Sequence, residues 1–137
     1  MTDPKPSSSQ KKIATVALVV AGYDEAIAWY TQKLGFTLFD NVDFGGGKRW
    51  VTVGPENGGM RLLLAEAADE NQRTRVGDQT GGRVFLFLET DDFSRDHAAM
   101  LAAGVNFCEA PRHEAYGTVA VFADLYGNLW DLIQPKQ

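Results

Sequence analysis

IATVALVVAGYDEAIAWYTQKLGF, residues 13–36, reads as a short strand, a tight connection and one amphipathic helix. Ile13–Val20 is β-branched and apolar on both faces, as expected of a strand covered on each side. Val16, Leu18 and Val20 form one face, bulky enough to pack under a helix. Thr15 and Ala17 form the other and leave room. In Tyr23–Leu34 the residues Tyr23, Ile27, Tyr30 and Leu34 recur at helical spacing. Asp24 and Glu25 suit the positive end of the helix dipole, and Gly35 supplies a C-terminal stop.

The phrase returns later in the chain. Arg83–Glu89 (RVFLFLE) repeats the strand, with Val84, Leu86 and Leu88 on its helix-facing side and Phe85, Phe87 and Glu89 opposite. Asp91–Ala103 repeats the helix, with Phe93, Met100 and Leu101 as its apolar stripe and Gly104 as its stop. Three further strands follow each helix: Phe36–Phe44, Arg49–Val53 and Met60–Ala65, then Val105–Glu109, Gly117–Ala123 and Leu129–Ile133. Thr15 stands 70 positions before Phe85, and Arg61 stands 70 before Asp131. The expectation is an α+β fold of two paired βαβββ modules, 13–66 and 82–134, joined by a polar linker, 67–81. Neither unit can hold a core alone, so the two pack together, and a pocket is expected at their seam.

At 137 residues the chain is one domain by length, and 45% hydrophobic residues with 11% aromatics is ordinary for a globular core. A net charge of −5 argues against nucleic acid or an anionic membrane as partner. The longest apolar run, Ile13 to Ala21, is half of a membrane span. Met1–Lys12 is rich in Pro, Ser and Lys without an apolar stretch, so it reads as a disordered tail and not as a secretory signal. A cytoplasmic protein is the expectation. The lone Cys108 excludes an intramolecular disulfide and a cysteine-based zinc site, and reads as a small buried hydrophobe on a strand.

The runs YDEAIAWYTQKLGF (Tyr23–Phe36) and DLYGNLWDLIQ (Asp124–Gln134) resemble the two signature segments of the vicinal oxygen chelate superfamily, which includes glyoxalase I, bleomycin-resistance proteins and extradiol dioxygenases. The resemblance spans residues 13–134. It implies an open, cupped, mixed sheet around a cleft, commonly in a homodimer. It also implies a divalent metal held on the first and fourth strands of each module. Carried onto this chain, those positions are Thr15, Arg61, Phe85 and Asp131, of which Asp131 alone is an ordinary ligand. Phe85 has no donor and Arg61 repels a cation. No cofactor is therefore expected at the usual positions; an octahedral metal elsewhere would have to draw on Glu89.

Arg61 and Asp131 interrupt apolar strands, MRLLL and LWDLI. A buried lone charge is costly, so the two are candidates to pair across the modules. Alternatively, Arg61 presents its fork to a substrate carboxylate or phosphate while Asp131 orients it or acts as base. Glu89 either ends its strand at solvent or serves as a carboxylate at the lip of the cleft. Trp50, Phe85 and Phe87 make either plain core or an aromatic wall for a flat ligand, opposite small Thr15 and Ala17. Trp130 has the opposite parity to Asp131 and reads as core beneath a helix. In the polar loop Pro111–Gly117, Arg112 and Tyr116 are candidates to cap a ligand; His113 reads as exposed, and His97 receives no function. Three functions stay open: a glyoxalase-like lyase or isomerase, a metal-free small-molecule binding protein, and a closed cleft with a structural role.

Overall fold

A computed structural model describes residues 9–137; the expected tail lies largely outside them. The first module runs β1 (Thr15–Val20), α1 (Tyr23–Lys33), β2 (Thr37–Gly45), β3 (Lys48–Gly54) and β4 (Arg61–Glu66). A helical turn, α2 (Glu70–Arg73), interrupts the linker. The second module runs β5 (Val84–Glu89), α3 (Phe93–Ala102), β6 (Asn106–Phe107), β7 (Arg112–Glu114), β8 (Gly117–Ala123) and β9 (Leu129–Pro135). The fold is α+β with two open sheets. One is ordered β1-β4-β3-β2; the other is ordered β5-β9-β8-β6, with β7 also on β8. Within each, the first and last strands of the module pair in parallel. No helix among the described residues is long and apolar enough to cross a membrane.

Each module caps its helix in the same way. The last strand sends a side-chain oxygen back to the first helical N–H: Tyr23 N donates to Glu66 Oε2 (3.3 Å) and Phe93 N to Gln134 Oε1 (2.8 Å). These satisfy backbone donors that no helical carbonyl can reach. Gly35 and Gly104 end the helices with φ of 71° and 91°, as their positions predict. At the far ends the helices meet, Lys33 Nζ donating to the Ala103 carbonyl (2.6 Å).

The helix-facing sides of both sheets share one core. Leu18, Val20, Val51, Val53 and Leu64 from one module and Phe122 and Leu132 from the other are fully buried. Tyr30 and Phe36 cross the seam to meet Trp130, with ring centroids 5.9 and 6.2 Å away. Trp130 is thus core, as its parity predicts. Tyr30 also donates to Asp124 Oδ2 (2.6 Å). Asp124 additionally accepts from the N–H groups of Tyr126 and Asn128 and from the Asn128 amide, all at 2.9 Å. A buried carboxylate is tolerable because four donors answer it.

The repeat slips in its fourth strand. Leu18 pairs with Leu64, and Leu88 pairs with Leu132. The first strands match at 70 positions, but the buried fourth-strand residues match at 68. One residue is lost because α3 is one residue shorter than α1, and the other because the turn Asp124–Asn128 is one shorter than Pro55–Met60. Asp131 therefore corresponds to Leu63, and Arg61 to Leu129. Two local expectations also change. Part of the Pro111–Gly117 loop is strand β7, because Arg112, His113 and Glu114 pair with β8. Cys108 is exposed, since β6 ends at Phe107 and only the Cys108 backbone rejoins the sheet, donating to Val121 O (2.8 Å).

Candidate functional site

The sheet faces turned away from the core carry most of the candidate residues. On the first sheet, Thr15 pairs with Arg61, Ala17 with Leu63, and Val42 with Trp50. Strand β3 pairs with β4 at Thr52–Leu63 and Val53–Leu62; beyond these pairs the two strands part. A hollow of about 720 Å³ opens between them, lined by Trp50, Phe44, Leu63, Ala65 and Gln72. Trp50 is 40% exposed and Phe44 61%, so two aromatic rings lie uncovered in a recess floored by small residues. That volume suits a drug-sized molecule.

Arg61 does not meet Asp131. Its guanidinium lies 3.9 Å over the Phe39 ring and 3.4 Å from Asp40 Oδ2, an oxygen that also accepts from Thr52 Oγ1 (2.6 Å). The expected cross-module ion pair is absent because the fourth-strand slip puts Arg61 and Asp131 in different rows. Nor is Arg61 a buried lone charge: its side chain is half exposed. Thr15 and Arg61 line a separate depression of about 580 Å³ with Ile13 and Met60.

On the second sheet, Asp131 sits between Phe87 and Val121. Its Oδ1 is buried without a partner among the described residues. Burial raises its pKa above the ordinary aspartate value; Arg112 opposes the rise and Glu109 adds to it. Arg112 is engaged, with Nε 3.0 Å from Glu109 Oε2 and Nη1 2.9 Å from Glu114 Oε1. Glu109 also accepts from Val121 N (3.1 Å). Arg112 thus holds two carboxylates in place through Nε and Nη1. Tyr116 is exposed at the β7–β8 turn, and His113 is exposed with Nδ1 3.3 Å from Thr118 Oγ1.

Phe85 leaves the proposed wall. It is the extra residue of a bulge in β5 and packs edge-on against Trp130, centroids 6.4 Å apart. Phe87 stays on the open face, 64% exposed, and with Glu89 lines a groove at the module seam. His97 stacks on Phe93 (5.2 Å) and meets Phe107 edge-on (4.5 Å), a packing role.

The candidates therefore divide among several places within one chain. Trp50 belongs to the hollow, Thr15 and Arg61 to the neighbouring depression, Phe87 and Glu89 to the seam, and Asp131, Arg112 and Tyr116 to the second open face. Asp40, Phe39, Phe44, Glu109 and Glu114 were missed. Glu109 was legible in principle, three residues before Arg112; Asp40 was not, because only the β2–β3 register brings it to Thr52 and Arg61. The donor set does not fit a resident divalent metal: Thr15 and Arg61 stand apart from Asp131, and Arg61 already holds Asp40. Among the described residues no three His, Cys, Asp or Glu side chains gather as a metal site.

Residues 12–132 match the family model described as Glyoxalase/Bleomycin resistance protein/Dioxygenase superfamily. An uncharacterized protein of Shewanella frigidimarina (strain NCIMB 400) is 52% identical over 127 residues, covering 91% of this chain and 94% of that protein. The crystal structure of UcmS2 is similar at 28% identity and a TM-score of 0.79, covering 90% of this chain and 98% of the other. That of TnmS3, an antibiotic binding protein from Streptomyces sp. CB03234, matches at 25% identity and a TM-score of 0.75, covering 93% and 98%.

Proposed function

The chain belongs to the Glyoxalase/Bleomycin resistance protein/Dioxygenase superfamily, and from that premise we propose that it binds and sequesters a small, flat, partly apolar molecule without a metal. The observation that carries this reading is the hollow of about 720 Å³ with Trp50 and Phe44 uncovered in it. Exposed rings in a recess offer a large apolar contact at low entropy cost. The similarity to an antibiotic binding protein supports the class of function. Arg61, steadied by Asp40 and Phe39, lines the neighbouring depression and meets only a ligand that extends beyond the hollow.

The active form in this proposal is a cytoplasmic homodimer. Val42, Phe44 and Trp50 remain exposed on the open face of the first sheet, and a second copy laid on that face closes the Trp50 hollow. The test is titration of the neutral fluorescent probe N-phenyl-1-naphthylamine, with sedimentation analysis of mass. A saturable rise in fluorescence on a dimer supports the reading; no binding on a well-folded protein would end it.

One observation favours a second reading, a lyase or isomerase of the glyoxalase type. Asp131 has an unpartnered buried oxygen and a pKa raised by burial, properties that suit a carboxyl group exchanging a proton with a ligand. Glu89, in the seam groove, is a second exposed carboxylate on the same strand as Phe87. Turnover of a hemithioacetal of methylglyoxal and glutathione, lost in Asp131→Asn, would favour catalysis. No turnover with intact probe binding leaves sequestration as the function.

A further inference from the structure

The two modules touch through two equivalent joints, and only one is filled. In the first, the turn Asp124–Asn128 rests on α1, where Trp29 packs edge-on to Tyr30 (4.9 Å) and Tyr30 donates to Asp124. Tyr126 closes this joint, its hydroxyl 3.4 Å from Gly22 N. In the second, the turn Pro55–Met60 faces α3. The positions of Trp29, Tyr30, Asp124 and Tyr126 are taken there by Ala99, Met100, Pro55 and Asn57. Three rings and a carboxylate have been replaced by an alanine, a methionine, a proline and an asparagine. What is left is a groove of about 680 Å³ that shares Phe36, Asn57, Leu88 and Glu89 with an adjoining recess of about 450 Å³.

The floor is apolar and the rim is acidic. Phe36, Leu62 and Trp130 lie beneath the floor, each more than nine-tenths buried, and Leu88 with exposed Phe87 forms its accessible apolar surface. Arg95 is bound by Asp91 (2.9 Å) and Asp96 (3.0 Å), and Asp96 also accepts from Thr90. Lys33 is spent on the Ala103 carbonyl. Glu89 and Glu56 have no cation partner among the described residues. We propose that this seam groove is a second ligand site, distinct from the Trp50 hollow, that takes an amphiphilic organic cation. The apolar body lies on exposed Phe87 and on Leu88, and the charge sits against Glu89. The open face of the Phe87 ring favours a cation over a neutral molecule of the same shape.

The probe is tetraphenylphosphonium, titrated calorimetrically into the full chain beside neutral triphenylphosphine oxide. The cation is expected to bind more tightly than the oxide. Glu89→Gln is expected to weaken the cation about fivefold, the range of one solvent-exposed charge pair, and to leave the oxide unchanged. Asn57→Tyr, which restores the ring that fills the first joint, is expected to abolish both. N-phenyl-1-naphthylamine held in the Trp50 hollow reports that the variants are folded, and the cation should not displace it. Equal binding of cation and oxide, undiminished binding to Asn57→Tyr, or displacement of the naphthylamine would each overturn the proposal. So would a change in sedimentation mass in Asn57→Tyr, since the groove would then be a contact between copies. Failure of the naphthylamine to bind at all bears on the proposed function and not on the groove, which the calorimetry reads independently.

Discussion

Trp50→Ala is expected to weaken N-phenyl-1-naphthylamine binding roughly 30-fold while leaving the fold intact. The magnitude follows from the exposed ring. Trp50 is 40% exposed, which leaves about 100 Å² uncovered on a side chain of ~250 Å². Covering all of it at ~25 cal/mol per Å² would contribute about 2.5 kcal/mol. A flat ligand covers one face, so about half of that is realised, and ring stacking adds ~0.5–1.5 kcal/mol. The total, about 2 kcal/mol, is the stated factor of roughly 30. The cost to the strand is the contact with Val42 across the β2–β3 pair, ~1 kcal/mol at most. Fluorescence titration gives the affinity, and a thermal melt checks stability. Trp50→Phe should retain most of the binding, because it keeps a ring. If Trp50→Ala binds within threefold of the wild type, the ligand does not sit in this hollow and the reasoning fails.

Tyr30→Phe should lower stability by ~2 kcal/mol, the worth of a hydrogen bond to a buried charge, and Tm by about 5–10 °C. Burial first, and Asp124 next, hold the Tyr30 hydroxyl well above the usual phenol range. The unfolded chain therefore ionises first above pH ~10, and wild-type stability falls there with a component the Phe variant lacks. Asp131→Asn should stabilise the protein modestly at pH 7, because burial raises the Asp131 pKa and its ionised form is disfavoured in the folded state. As pH falls below the ordinary carboxylate range both states bind the proton and the difference should vanish in urea titrations; a gain that persists there contradicts the burial cause. Gly77→Ala should cost ~3 kcal/mol or more, since Gly77 has φ of 78° and an added Cβ would meet the Tyr126 carbonyl oxygen. A loss below ~1 kcal/mol in chemical denaturation would mean that the linker yields freely at the filled joint.

The fold was legible because its signals are periodic. Alternating aliphatics mark β1 and β5, helical spacing marks α1 and α3, and paired glycines end both helices. Trp130 fell correctly into the core on strand parity alone. The site was less legible because it depends on register. A helix and a turn each one residue shorter in the second module make Asp131 the counterpart of Leu63 instead of Arg61, and nothing local in MRLLL or LWDLI announces that slip. A single-residue bulge turned Phe85 to the core edge, and an edge strand only two residues long left Cys108 exposed. Each is a non-local outcome: what decides it is the partner strand, 44 or 45 positions away for Phe85 and Asp131. The hollow itself arises where β3 and β4 stop pairing, which no pattern within either strand records.

Native mass spectrometry with elemental analysis, on protein purified without a histidine tag, tests the central claim most directly. The account predicts a dimer that carries no stoichiometric transition metal and that takes up N-phenyl-1-naphthylamine in that metal-free state. A stoichiometric metal retained through purification, with ligand uptake lost on chelation, would contradict it.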